Sequence, residues 1–240
     1  MGCGQEVKKN YYCEFIRFIR HDEFTYSLEF KSEELKVWQE GHHSMMIINV
    51  DDTLVGKKFS YVSLPEEGVI RFTTRITEEC SEYKNAILSL VQGEFVKISE
   101  PSGDFGLRRE NRPILLLSNG VGIAGVKTLV QQYMNDQSQI PEILLLNVDD
   151  RSNIYKEEFD NFHAKVVQFK PYYLTHRSSY YSMLNHELRM MNKRHGMDPI
   201  FYIAGSDSFV EENEQYLRDL DFAKEDIIVG GKQSDSCCRG

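Results

Sequence analysis

Three glycines, Gly120, Gly122 and Gly125, follow the apolar run Ile114-Leu115-Leu116-Leu117, and Ile123, Val126, Leu129, Val130 and Tyr133 then recur at helical spacing. A buried strand, a glycine turn and a helix in that order aim free backbone N–H groups at a phosphate, and glycine admits a pyrophosphate where a Cβ would block it. The letters fit G-x-G-x-x-G. Asp149 and Asp150 close the next apolar run, about where a dinucleotide-binding domain keeps its ribose-binding acid. Taken alone, the letters serve a nucleotide site and a tight strand–helix turn equally well. Other reactive side chains are sparse. His42-His43 lacks a third ligand and reads as a surface turn. Cys3, Cys13, Cys80, Cys237 and Cys238 are odd in number and without metal spacing, which reads as reduced thiols of a cytoplasmic protein.

The elements that must carry these residues divide the chain in two. With 240 residues and 41% hydrophobic content it has material for two cores, and a net charge of −9 argues against a nucleic-acid partner. No apolar run reaches membrane-spanning length, and no signal peptide opens the sequence. Met1-Gly2-Cys3 is similar to an acylation start, but Glu6 stands where Ser or Thr is usual. Residues 8–108 alternate or carry aromatics in short runs, at 11–19, 24–30, 45–50, 59–64, 69–76 and 95–98, which predicts an antiparallel barrel or sandwich. One helix interrupts it, with Ser81 as N-cap and Gly93 beyond its end. From Pro113 the period changes. Strands are expected at 114–117, 143–148, 165–169 or a little beyond, 200–204 and 227–229, and helices at 123–134, in a short piece near 154–162, at 179–194 and at 208–220. That alternation predicts a doubly wound α/β domain over 109–232, followed by a polar tail at 233–240. The 179–194 helix reads as core packing, and Glu211-Glu212-Glu214 as a solvated face.

Five motifs in order resemble the ferredoxin–NADP reductase superfamily, which includes cytochrome b5 reductase, flavohaemoglobin reductase domains and the electron-transfer flavoproteins of oxygenases. Trp38-Gln39-Glu40-Gly41 is similar to the family's tryptophan–glycine approach to its second barrel strands. Lys57-Lys58-Phe59-Ser60-Tyr61-Val62-Ser63 resembles the flavin signature R-x-[YF]-[ST]-x-x-S. Gly93-Glu94-Phe95-Val96-Lys97-Ile98 with Pro101-Ser102-Gly103-Asp104-Phe105 resembles G-D-x-V-x-v…x-P-x-G-x-F. Gly120-Val121-Gly122-Ile123 resembles G-[TVI]-G-I-[TA]-P, and Tyr202-Ile203-Ala204-Gly205-Ser206 resembles Y-x-C-G-P.

The resemblance implies a flavin-binding antiparallel β-barrel domain followed by an NAD(P)-binding α/β domain. Hydride would pass from NADPH or NADH to the flavin, and electrons onward to a protein or small-molecule acceptor. It implies that Phe59 packs on the flavin ring, that Ser60 hydrogen-bonds the ring edge, that Lys57 meets a flavin phosphate and that Ser63 completes the signature. Gly120, Gly122 and Ile123 would admit the coenzyme pyrophosphate, and Gly205 would lie beside the nicotinamide. Thr175 and Arg177, with His176, stand where NADP-preferring relatives hold the 2′-phosphate, against the opposing carboxylates of Asp149 and Asp150, so the balance leans to NADPH. The chain departs from the pattern in four places: Lys57 replaces an arginine, Gly125 a proline, Ala204 a cysteine and Ser206 a proline. Where FAD-binding members carry G-x-x-[ST], this chain has Glu78-Glu79-Cys80-Ser81. Ser81 is kept, but two carboxylates face the anion, so FMN stands beside FAD as the expected flavin. These departures also suit an alternative, a non-catalytic domain that keeps the fold as a binding or regulatory partner.

Overall fold

The computed structural model describes residues 9–230. The acylation-like start, Cys3 and the tail with Cys237-Cys238 lie outside the described residues. Contacts divide the chain after Asp104.

The first unit is a six-stranded antiparallel sheet in the order β4-β3-β6-β1-β2-β5. Its strands are β1 (Asn10–Arg20), β2 (Thr25–Lys31), β3 (His43–Val50), β4 (Thr53–Ser60), β5 (Ile70–Arg75) and β6 (Phe95–Ser99), with the helix α1 (Glu82–Leu88) before β6. Alternate residues point inward, as a strand's period of two requires: Cys13 and Phe15, Leu28 and Phe30, Met46 and Ile48, Val96 and Ile98 are all buried in one core. The sheet curls toward closure through the Tyr61↔Phe72 bridge and the Val62 N–H bond to the Arg71 carbonyl, 2.9 Å. The run expected as a strand at 59–64 is corrected. The strand is Thr53–Ser60, paired with β3 through a tight turn in which Asp51 and Asp52 both have positive φ, 47° and 63°. This is an edge strand with exposed positions, so it carries little apolar signal.

The second unit is a five-stranded parallel sheet, ordered β11-β10-β7-β8-β9. Its elements are β7 (Ile114–Asn119), α2 (Ile123–Asn135), β8 (Ile143–Val148), α3 (Lys156–Lys165), β9 (Phe169–Leu174), α4 (Arg177–His195), β10 (Ile200–Ala204), α5 (Asp207–Asp219) and β11 (Ile227–Gly230). The unbroken apolar runs follow from burial on both faces. Ile114 and Leu116 pack with α2 and α3, while Leu115 and Leu117 pack with α4 and α5. The strand expected at 165–169 or a little beyond runs over Phe169–Leu174. It is an edge strand, half-buried along most of its length, and it carries Pro171, which an edge tolerates because one side needs no ladder bonds. Phe105 belongs to this unit: its ring meets Tyr202 edge-on at 5.2 Å, and the Tyr202 hydroxyl donates to the Gly106 carbonyl and accepts from the Arg108 N–H. Among the described residues no helix is long and apolar enough to cross a membrane.

Candidate functional site

In the second unit the carboxyl ends of β7 and β10 lie side by side, with Ser118 paired to Ala204. Their following helices diverge, α2 to one face of the sheet and α5 to the other. A strand order that reverses at this point opens a crevice beyond the strand ends, where open α/β sheets bind their ligands. Gly120 has φ 52° and begins a short 3-10 turn, Gly120–Gly122, that leads into α2. The closeness that Gly122 permits is to the chain's own backbone. An added Cβ would sit 2.4 Å from the Ala204 carbonyl oxygen and 2.6 Å from the Gly205 Cα. Gly205 is constrained in turn, since a Cβ there would lie 2.0 Å from Asn119 Oδ1. That oxygen accepts the Ser206 N–H at 3.0 Å and ties the two loops together. Asn119 was not among the expected site residues; its only signal is a lone amide between a buried strand and a glycine turn. Ser206, where the family has proline, is the N-cap of α5 and accepts from the Phe209 N–H at 3.3 Å.

Ile123, expected at the coenzyme pyrophosphate, has its side chain wholly buried, and its N–H bonds to the carbonyls of Gly120 and Val121. Beneath the strand ends runs a buried polar chain. Ser118 donates to Asn147, 2.8 Å, and Asn147 donates to Asn153, 3.1 Å, so neither buried group is orphaned. Asp149 is buried and accepts the Arg151 N–H at 3.0 Å, which leaves Asp150 as the exposed acid. Thr175 and Arg177 are exposed at the start of α4. Arg177 does not stand free. Its Nη1 lies 2.7 and 2.6 Å from the two carboxylate oxygens of Glu212 on α5, a pair that raises the guanidinium pKa. The supposed solvated face of α5 therefore supplies a specific partner.

In the first unit Lys57, Phe59 and Ser60 fall at the end of β4. Lys57 is exposed, with no ion pair among the described residues. Phe59 is half-buried and packs on Phe72 and Tyr83, with ring centroids 5.6 and 6.4 Å away. Ser60 is half-buried opposite His43. Ser63, expected to complete the flavin signature, supports the turn that follows it. It is fully buried, its hydroxyl donates to the Val69 carbonyl and accepts the Arg71 N–H, and its carbonyl accepts Trp38 Nε1. Trp38 in turn stacks on Tyr61 at 4.9 Å, so the first motif braces the second from within the barrel. Ser81 is exposed at the N-cap of α1, its hydroxyl making no cap bond, with Glu78 and Glu79 exposed before it. Lys57, the Phe59 ring and the Ser60 and Ser81 hydroxyls are thus a cation, an aromatic face and two hydroxyls, a set that fits a ring bearing a phosphate.

An antiparallel half-barrel followed by a doubly wound parallel sheet defines a two-domain protein with the ferredoxin–NADP reductase fold. Solved structures bear this out. The chain aligns with the CS-b5R domains of human Ncb5or in their NAD+ form at TM-score 0.79 and 17% identity, over 95% of this chain and 71% of that one. It aligns with ferredoxin-NADP+ reductase from Plasmodium falciparum with 2'P-AMP at TM-score 0.76 and 15% identity, over 93% and 97%. The flavohemoglobin of Malassezia yamatoensis, with bound FAD and heme, gives TM-score 0.73 and 15% identity, over 92% and 60%. In sequence, the chain is 23% identical over 216 residues to cytochrome b5 reductase 4 of Xenopus tropicalis, covering 79% of this chain and 40% of that protein. It is 23% identical over 168 residues to the toluate 1,2-dioxygenase electron transfer component of Pseudomonas putida, covering 68% and 49%. The chain therefore spans less than half the length of these two relatives. No protein-family description matches it.

Proposed function

We propose that the chain is an NAD(P)H-dependent flavin oxidoreductase that passes electrons to a protein or small-molecule acceptor. The observation that carries this reading is the crevice at the joined ends of β7 and β10, where Gly122 packs on Ala204-Gly205 and Asn119 closes the loop pair. It has the form of a nucleotide cradle, and it accompanies a barrel whose exposed cation, aromatic and hydroxyls suit a flavin. When bound, the flavin supplies the redox chemistry. The chain's own residues orient and hold. Lys57 meets a phosphate as a point charge, less directional than the arginine fork it replaces. The open part of the Phe59 ring covers one side of the flavin, and the Ser60 hydroxyl donates to its edge. Ser81 offers a hydroxyl to a phosphate, and Gly120 lets backbone N–H groups face the coenzyme. FAD is the first expectation. The Glu78 and Glu79 carboxylates beside Ser81 disfavour a second phosphate there, so FMN is the comparison to make.

The coenzyme reading changes with the structure. A 2′-phosphate reaching Arg177 must displace Glu212, whose carboxylate already meets that guanidinium. Because the pair is exposed it contributes little to stability, but it places a negative charge where the phosphate would lie. The balance turns to NADH.

Reconstitution with FAD and with FMN tests the proposal. The protein should turn yellow with one of them, and NADH should bleach it anaerobically. Lys57→Ala, at an exposed position, should weaken flavin binding about tenfold through one lost charge-assisted contact. Phe59→Leu, which keeps the core filled against Phe72 and Tyr83, should weaken it by at least as much. A folded protein that takes up neither flavin would overturn the reading and favour a non-catalytic binding domain.

A further inference from the structure

We propose that a cleft in the barrel unit, between β3 and β6, docks an extended basic segment of a partner protein whose alternate side chains are apolar. The cleft arises from a split in the sheet. β3 and β6 pair only through Met46↔Ile98 and Ile47↔Lys97, although β3 runs on to Val50 and β6 begins at Phe95. Beyond that point each strand keeps its other neighbour, Val50 with Thr53 of β4 and Phe95 with Glu14 of β1. The facing edges diverge and enclose about 650 Å³. That volume is within the range of specific ligand clefts.

The lining is open and mixed, apolar along the strands and polar where α1 adds Glu82 and Asn85. Its floor holds Ile48 and Val96, 6% and 4% exposed, and its rim holds Tyr12, Leu54 and Phe95, exposed by 63%, 61% and 64%. Three of the nine exposed large hydrophobics among the described residues thus converge on one cleft. Clustering of this kind marks a binding surface, whereas scattered apolar residues need no explanation. A slot between two diverging strands, backed by Ala86 and Leu90 of α1 and the turn after it, favours an extended occupant that seats alternate side chains on the apolar rim. The carboxylates of Asp51, Glu82 and Glu94 also line the cleft, and Lys97 is the single cation among the lining residues, its ammonium 5.6 Å over the Tyr12 ring. An acidic rim selects a basic partner. It also disfavours a second copy of this chain, whose net charge is −9. The cleft contains none of Lys57, Phe59, Ser60 or Ser81, and only Glu82, next to Ser81, borders the flavin residues.

The test uses the full chain and two labelled peptides about nine residues long, roughly the length of a long strand. One alternates valine with lysine, the other valine with glutamate. Fluorescence anisotropy should show binding of the lysine peptide, weakening with rising salt, and none of the glutamate peptide. Phe95→Ser, at an exposed position, should raise its Kd about tenfold or more, as loss of a central aromatic does. Asp51→Asn with Glu94→Gln should also raise it and flatten the salt dependence. Hydrogen exchange with the peptide bound should slow at 48–50 and 95–96. Flavin content should be the same in all variants. Absence of binding, equal binding of both peptides, indifference to Phe95→Ser, or protection elsewhere would each overturn the proposal. So would a dimer in light scattering that Phe95→Ser dissolves, which would assign the cleft to a second copy.

Discussion

Two buried phenols show how burial and bonding separate at the residue scale. The Tyr133 hydroxyl is buried in the α2-side core without a hydrogen-bond partner among the described residues, and burial pushes its pKa up to about 12. Tyr180 is equally buried, but its hydroxyl donates to Asn213 Oδ1 at 2.6 Å, while Asn213 Nδ2 donates to the Phe209 carbonyl at 2.8 Å. Removing an unpaired buried hydroxyl costs nothing in bonding, whereas removing one of a pair strands its partner. Tyr133→Phe should therefore be neutral or stabilising, and Tyr180→Phe should cost roughly 1–3 kcal/mol, both read from urea unfolding. The Arg177–Glu212 pair predicts coenzyme behaviour. Glu212→Gln should raise kcat/KM with NADPH by about 1–2 kcal/mol, the order of one freed charge-assisted bond, and leave NADH nearly unchanged. Equal changes with both coenzymes would place the pair outside the recognition site.

At the scale of elements, the loops after β7 and β10 are fitted to one another. Gly205→Ala would force its Cβ against Asn119 Oδ1, and Asn119→Ala would remove that oxygen along with its bond to the Ser206 N–H. Each single change should destabilise, and the double variant should lose less than their sum. A coupling of about 1–2 kcal/mol in a double-mutant cycle is expected, as for residues in contact. Gly122→Val is a poor probe of coenzyme binding for the same reason: it clashes with fixed backbone and should lower the melting temperature before it reports on the ligand. The opposite, amino-terminal end of the strands is held by charge. Glu142, buried just before β8, is bonded by Lys170, Arg194 and His195, and Glu187 on α4 bonds Arg194 and the Tyr172 hydroxyl. Burial works to raise the Glu142 pKa, but its three donors hold it below the ordinary value. A depressed carboxyl pKa gives stability that is present above the unfolded-state value and lost as pH falls through the folded one. Urea midpoints should thus fall as the solution is acidified below about pH 4.3, and Glu142→Gln should lower stability at neutral pH by roughly 1–3 kcal/mol while flattening that fall. An unchanged acid limb in the variant would remove Glu142 from the account.

For the molecule as a whole, the barrel has one core and the parallel sheet has two, one on each face. Units with their own cores can unfold separately. Calorimetry of the apoprotein should resolve two transitions. Flavin at about a hundred times its Kd should stabilise the barrel by about 2.7 kcal/mol and move its transition alone, and NADH should do the same for the α/β unit. A ligand that moves the other unit's transition instead would reverse the site assignments.

The amino-acid sequence by itself determined the two fold types, the order of the motifs and most of the buried strands. Ile114 to Leu117 and the runs at 143–148 and 200–204 are buried on both faces, so each shows as an unbroken apolar stretch that local reading recovers. The edge strands β4 and β9 were hard to place because hardly any of their positions is fully buried, and in β9 a proline stands where only an edge allows one. Tertiary structure alone decided which glycine meets which backbone, that Ser63 braces a turn and Ile123 fills the core, and that Glu212 lies on Arg177. These contacts join residues far apart in the chain, Gly122 to Ala204 and Arg177 to Glu212. Hydrophobic periodicity records how each segment meets water, but it carries no information about which distant side chain or carbonyl will stand within 3 Å once the sheet brings the strand ends together.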